Sequence, residues 1–177
     1  GGGSSMDIAK LVALILGSNE DLDNIWGVAN AKGPRLPLVL IPTTAGTGSE
    51  VTPISIITLE NDEKRGVSSP LILPDLSILD PVLTVGLPSE ITAATGIDAI
   101  VHAIEAYTSC NSNNNFISKI LSIEALKLLG PSIEKAVLEG SNMEARSNML
   151  IGSMLAGKAF ANSPVAAVHA LAYPIGG

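Results

Sequence analysis

The chain has 177 residues, of which 46% are hydrophobic and 15% are charged, a composition typical of a globular protein with a large buried fraction. Ten basic against 17 acidic residues give a net charge of -7. Because the basic residues are scattered, a nucleic-acid or anionic membrane surface is excluded. No apolar run has the length of a membrane span. The single Cys110 cannot form an internal disulfide, which favours a reducing compartment, the cytoplasm.

The chain opens on a glycine-rich loop that leads into a helix. Apolar residues 11–16 predict this helix, and Gly17 predicts its end. Such a loop at a helix N-terminus can offer backbone N–H groups to a phosphate. An engineered Gly/Ser linker has the same composition. Since the chain starts without Met and stops within a turn, we expect either a fragment or a linker at residues 1–5.

A strand followed by a hydroxyl-rich loop comes next. After a short helix predicted over residues 21–32, the apolar run 36–42 predicts a buried strand. It runs into residues 43–51, at the kind of strand end where open α/β sheets bind ligands. Four hydroxyls there could bond ribose or pyrophosphate oxygens, although an ordinary turn is the alternative: Thr43, Thr44, Thr47 and Ser49.

The pattern changes near Pro88 from α/β to all-α. Before it, residues 53–59 predict a strand, 61–66 the polar turn of a hairpin, and 77–81 a further strand. After it, helical periodicity predicts a series of helices: 90–95, 97–108, 116–129, 131–138, 144–161 and about 165–172. We therefore expect residues 1–88 to form part of an α/β domain and residues 89–177 part of an α-helical domain.

One helix carries a candidate pair of metal ligands. Asp98 and His102 are spaced i, i+4, so their side chains lie one turn apart on one face. A carboxylate and an imidazole there could bind a divalent cation, with Glu105 orienting the imidazole. An exposed ion pair or hydrogen bond is the alternative.

The other histidine, His169, lies in an Ala-rich stretch. It is either a buried core residue or a third ligand. An Asp-His-His set suits Fe(II) or Zn(II).

Four segments together resemble the iron-containing (group III) alcohol dehydrogenases. They are G-G-G-S-x-x-D-x-A-K at 1–10, P-T-T-A-G-T-G-S-E-V-T at 42–52, T-G-x-D-A-x-x-H-A-x-E-x-Y at 95–107, and H-A-L-A-Y-P-I-G-G at 169–177. The resemblance covers essentially the whole chain in family order. It implies that residues 1–5 are native, and that the chain is a central fragment of a dehydroquinate-synthase-like two-domain fold, α/β followed by all-α and truncated at both ends.

The resemblance also implies a set of site residues. NAD or NADP would bind the α/β part, at Gly2, Gly3, Ser4, Asp7, Thr43, Thr44, Thr47, Ser49 and Val51. Lys64, on composition alone a solvated side chain, would reach the ribose, and Leu83 would lie against the cofactor. Asp98, His102 and His169 would bind Fe2+, with Zn2+ as the alternative. The family's fourth ligand, a histidine that follows the last of these segments, is not in this chain.

The function implied is hydride transfer between NAD(P) and an alcohol or aldehyde at that metal, in a homodimer when full length. Two alternatives remain open. One is an inert fragment, at most a weak nucleotide- or metal-binding module. The other is a relative of maleylacetate reductase or of the Zn-dependent glycerol dehydrogenases.

Overall fold

The computed structural model describes residues 1–60, 63–163 and 168–171. Helices and short strands alternate in its first part, and long helices follow. The helices are α1 (Gly3–Ser18), α2 (Leu22–Ile25), α3 (Ser89–Thr108), α4 (Phe116–Leu138) and α5 (Met143–Asn162). The strands are β1 (Gly27–Val28), β2 (Val39–Leu40), β3 (Ile54–Thr58), β4 (Lys64–Ser68) and β5 (Leu76–Ser77). None of the helices described is both long and apolar enough to cross a membrane.

Helix α1 begins inside the glycine-rich loop and ends where the sequence predicts. It closes at Ser18, with Asn19 in the left-handed conformation at φ 57° and its N–H bonded to the Ile15 carbonyl. Its buried residues include Met6, Leu11 and Leu14. The helix predicted over 21–32 is wrong. Only α2 forms, because Gly27 at φ 95° and Ala29 at φ 58° cannot continue a right-handed helix.

Two small sheets form the rest of the α/β part. In one, β4 pairs antiparallel with β3 and parallel with β1. The predicted hairpin is therefore confirmed, although its turn is shorter than expected, since β4 already begins at Lys64. Residues 61 and 62 lie outside the described chain.

In the other sheet, β2 pairs parallel with β5. A continuously buried strand over 36–42 is wrong: Leu38 and Leu40 are buried, whereas Val39 is 50% exposed. The strand predicted over 77–81 lies earlier, because Pro81 begins a 3₁₀ turn.

The helical part has fewer, longer helices than predicted. Helix α3 runs unbroken through Gly96, where a Cβ would lie 2.7 Å from Met149. This glycine therefore serves close helix packing and not a helix end. Helix α4 likewise contains Pro131. The proline lies on the exposed face while Leu129 and Ser132 beside it are buried, so tertiary packing outweighs the lost backbone hydrogen bond.

The order of α/β and then all-α elements is confirmed, while the division into domains at residue 88 stays a prediction. The two parts touch at a pair of glycines. A Cβ on Gly48, which has φ 62°, would lie 2.6 Å from the Cα of Gly157 in α5. Of the last predicted helix, residues 168–171 are helical and the remainder lies outside the described residues.

Candidate functional site

Three side chains from two distant segments meet beside α3. Nε2 of His102 lies 3.7 Å from Oδ1 of Asp98, and Nε2 of His169 lies 3.4 Å from the same oxygen. One ligand atom from each residue falls within 4.8 Å of the others. One carboxylate oxygen and two imidazole nitrogens form a donor set that Fe(II) and Zn(II) accept, at metal–ligand distances of about 2.0–2.2 Å. The residues therefore fit a single divalent cation.

The ring of His102 is held between two others. It stacks on His169 at 4.5 Å between centroids and contacts Phe160 at 4.6 Å. Burial lowers the pKa of His102, and the Asp98 carboxylate opposes this shift. The backbone of Gly46 also raises the pKa, although Nδ1 of His102 has no partner within hydrogen-bond geometry among the described residues. A neutral imidazole is the form that binds a metal.

Glu105 contacts a different histidine from the one expected. This residue is 4% exposed. Its carboxylate accepts the Val168 N–H at 2.7 Å and lies 2.5 Å from Nδ1 of His169. The prediction that Glu105 orients His102 is therefore wrong. The histidine that it contacts is His169, which the 168–171 turn places against its carboxylate. Contacts with Asp98 and then Glu105 raise the pKa of His169, against the effect of burial.

The N-terminus of α1 faces the hydroxyl-rich loop of residues 43–51 (the hydroxyl loop). The first N–H groups of a helix have no intrahelical partner, and Gly2 at the N-cap supplies no side-chain cap. A Cβ on Gly3 would lie 2.7 Å from Thr47. Glycine is therefore needed here, and it leaves the backbone N–H groups accessible to an anion.

Asp7 ties this helix to its neighbours. Its carboxylate accepts the Ser49 hydroxyl at 2.5 Å and the Ile56 N–H at 2.9 Å. Ser49 belongs to the hydroxyl loop and Ile56 to β3. A single side chain therefore fixes three elements.

Lys10 lies beneath Asp7 and is fully buried. Its ammonium donates to the Ile54 carbonyl at 2.7 Å and to the Thr52 hydroxyl at 3.3 Å, and lies 3.8 Å from Asp7. Burial lowers its pKa to about 8, while Asp7 and Glu50 oppose the shift. Sequence reasoning gave this lysine no role, since nothing in the pattern marks it as buried.

A cleft of about 360 Å³ joins the two sides. Nine of the predicted residues line it: Gly3, Ser4, Asp7, Thr47, Ser49, Lys64, Asp98, His102 and His169. The others lie away from its walls: Gly2, Thr43, Thr44, Val51 and Leu83. Of these, Gly2 lies beside Thr44, and Leu83 is 47% exposed on a 3₁₀ turn.

Sequence reasoning missed the apolar and hydroxyl wall of the cleft. It consists of Thr52, Ile54, Ile56, Thr58 and Phe160. Four of these alternate along and just before β3, so a period-two reading of that strand would have put them on one face. Phe160 carries no such signal, because it reads as an ordinary core residue of an Ala-rich helix.

Comparison with known proteins identifies the chain. The model of the iron-containing alcohol dehydrogenases matches residues 1–81, and that of the C-terminal region of the Fe-containing alcohol dehydrogenase family matches residues 92–177. The chain belongs to the iron-containing alcohol dehydrogenase family. This iron-containing alcohol dehydrogenase chain is 50% identical over 180 residues to long-chain-alcohol dehydrogenase 1 of Geobacillus thermodenitrificans, with 100% of the chain and 45% of that protein covered.

Solved structures give the same result. An alcohol dehydrogenase from Oenococcus oeni superposes with a TM-score of 0.93 and 41% identity, over 99% of this chain and 46% of that one. A sulfoacetaldehyde reductase from Bifidobacterium kashiwanohense in complex with NAD+ superposes with a TM-score of 0.91 and 36% identity, over 98% and 46%. This member of the family thus spans less than half the length of the relatives that it matches.

Proposed function

We propose that the chain binds NAD(P) and a divalent metal as part of an enzyme that transfers hydride between an alcohol and its aldehyde. The observation that carries the proposal is the shared cleft. The N-terminus of α1 and the Asp98, His102 and His169 cluster line one space of about 360 Å³. Ligand pockets of this size accept small organic molecules. The NAD+ complex of the similar sulfoacetaldehyde reductase supports the cofactor.

The chain's residues divide the binding between them. The N–H groups at the start of α1 would hold the pyrophosphate, helped by the helix dipole. The Ser49 hydroxyl already donates to Asp7, so it can only accept a hydrogen bond, for which a ribose hydroxyl is suited. Lys64, exposed at the start of β4, lines the same cleft and would reach the ribose. The remaining predicted contacts, at Gly2, Thr43, Thr44, Val51 and Leu83, stay proposals.

On the opposite wall, Asp98, His102 and His169 would hold Fe2+, or Zn2+. A bound cation supplies a Lewis acid at the alcohol oxygen, and nicotinamide supplies the hydride acceptor or donor. Ile54, Ile56 and Phe160 line the space between. Their side chains would exclude water from the reacting carbon, which would strengthen the polar contacts around it.

The metal assignment is tested by Asp98→Asn. We expect the purified variant to bind Fe(II), Zn(II) or Co(II) more than about 100-fold more weakly, because the change removes the only carboxylate of the set. The measurements are metal content by mass spectrometry and NADH oxidation with a short aldehyde. Glu90→Gln, an exposed acid in the first turn of the same helix, is the matched control. Undiminished metal binding by Asp98→Asn would refute the assignment.

A binding module without turnover is the second candidate, since the chain covers 45% of the length of one similar protein, long-chain-alcohol dehydrogenase 1. It predicts metal and NADH binding that depend on Asp98 and on Gly3 but no aldehyde reduction with any metal. Zn in place of Fe in the purified protein would favour the glycerol dehydrogenase alternative.

Two further proposals concern the whole enzyme. We place it in the cytoplasm, in keeping with the free thiol of Cys110, and we propose a homodimer. Light scattering coupled to size exclusion tests the second: a mass of one subunit at micromolar concentration would contradict it.

A further inference from the structure

We infer that Glu105 is a positioning residue that fixes both the place and the proton of His169, so that Nε2 is the atom offered to a metal. The inference rests on the proposed function for the identity of the ligand. It does not rest on it for the geometry, which concerns side chains alone.

The first argument concerns place. His169 stands 64 residues after Glu105 in the chain, and Nδ1 of its ring lies 2.5 Å from the Glu105 carboxylate, a shorter contact than the 3.4 Å between its Nε2 and Oδ1 of Asp98. Oε1 accepts the Val168 N–H and Oε2 lies against the His169 ring. The Val168 N–H and the His169 ring thus both contact the same buried carboxylate. Because Glu105 is spaced i+3 from His102, the helix that supplies two ligands also sets the third.

The second argument concerns the proton. A neutral imidazole carries its proton on one nitrogen, and the partner of that nitrogen decides which. An ionised carboxylate can only accept, so at 2.5 Å Glu105 requires the proton on Nδ1. Asp98 faces the other nitrogen, but its Oδ1 lies 3.4 Å from Nε2, well beyond the 2.5 Å between Glu105 and Nδ1. The single proton of the neutral ring therefore lies on Nδ1, and Nε2 keeps a lone pair within the cluster with His102.

The substitution Glu105→Gln distinguishes control of the His169 tautomer from merely holding the 168–171 turn in place. The glutamine has nearly the same shape, but one of its two terminal atoms is a donor. If its oxygen stays at Val168, its amide NH₂ faces Nδ1, which must then accept. The proton moves to Nε2 and blocks the ligand atom. If the amide turns over, the Val168 N–H loses its acceptor and the turn loosens.

The experiment is long-range ¹H–¹⁵N NMR on the metal-free chain with labelled imidazoles. Because Asp98 and Glu105 raise the pKa of His169 above the ordinary value of about 6.5, spectra are recorded at increasing alkaline pH until the imidazole signals no longer change. The chain has only two histidines, and His102→Asn assigns them. We expect the Nδ1–H tautomer at His169 in the wild type and the Nε2–H tautomer, or a mixture, in Glu105→Gln. The Nε2–H form in the wild type would overturn the inference without any variant.

A Co(II) titration followed by visible absorption supplies the second readout. We expect Glu105→Gln to bind Co(II) about 10–100-fold more weakly, with Glu90→Gln unchanged in both readouts. Unaltered Co(II) affinity and an unaltered tautomer in Glu105→Gln would also overturn the inference. If the wild type bound no Co(II), the proposed metal function would fail, while the wild-type tautomer would still decide the role of Glu105.

Discussion

The α/β part and the helical part are each stabilised internally by different kinds of contact. The α/β part has strands of only two to five residues, and polar side chains join them. Arg35 makes a two-point contact with Asp75 at 2.6 and 2.8 Å, and the buried Lys10 contacts the backbone at Ile54. The helical part has three helices of at least 20 residues, and its core consists mostly of buried alanines packed with Leu129, Met149 and Leu150.

This difference predicts different sensitivities. In the helical part, Ala99, Ala103, Ala125, Ala136 and Ala156 are all fully buried, so added volume has nowhere to go. In the α/β part, buried charges depend on protonation. Volume changes should therefore disturb the helices, and alkaline pH should change the stability of the α/β part through Lys10.

Gly48→Val should have the largest effect, because it damages the contact between the two parts. The left-handed backbone at φ 62° disfavours valine, and its Cβ would meet Gly157 at 2.6 Å. Together we expect a loss of about 4 kcal/mol in the free energy of unfolding, measured by urea denaturation. A loss below 1 kcal/mol, roughly the scale of a surface substitution, would contradict the backbone contact.

Lys10→Met should remove a pH dependence. The lysine has a pKa of about 8 when folded, against its ordinary value of 10.5, so between these values the unfolded chain binds more protons. Stability of the wild type should therefore rise by about 3 kcal/mol as the pH increases from 8 to 10.5. Below pH 8 both states are protonated and the group adds no slope.

In Lys10→Met that alkaline rise should be absent, as measured by urea denaturation at several pH values. Lys127→Met is the control, since Lys127 is 64% exposed and should leave the rise intact. The same slope in wild type and Lys10→Met would show that Lys10 does not titrate there.

Gly152→Ala tests the helical part alone. A Cβ there would lie 2.7 Å from Leu129 in α4, inside the helical core. We expect a destabilisation of about 2 kcal/mol from overpacking, with no change in the pH profile. A stabilised variant would mean that Leu129 can move aside.

Gly130→Ala should have the smallest effect and the opposite sign. It lies in α4 one residue after Leu129, and a Cβ would meet nothing within 4 Å. Replacing a helical glycine at an open position should add up to about 1 kcal/mol of stability. Thermal unfolding of the Gly130→Ala and Gly152→Ala pair thus compares the same substitution with and without a neighbour.

Local signals in the sequence predicted much of this molecule. The end of α1, the hairpin, and the Asp98 and His102 pair follow from periodicity and turn residues, which act over a few positions. Gly96 and Pro131 were misread as helix ends, because their places are set by neighbours far along the chain. The partner of Glu105 could not be read from spacing for the same reason: His169 arrives through tertiary structure. Lys10 stayed unnoticed because burial of a charge follows from packing and not from its neighbours in sequence.

The contact between Gly48 and Gly157 sets the width of the cleft. It joins two main chains without side chains between them, so the separation of the hydroxyl loop from α5 is set by backbone radii and not by rotamers. Phe160, one turn along α5 from Gly157, carries that spacing into the cleft and onto the ring of His102. Transfer of an atom between two bound molecules requires accurate placement, since a displacement of about 1 Å can lower the rate about 100-fold. If the cleft binds NAD(P) and a metal as proposed, two residues that touch neither would thus set the distance between them.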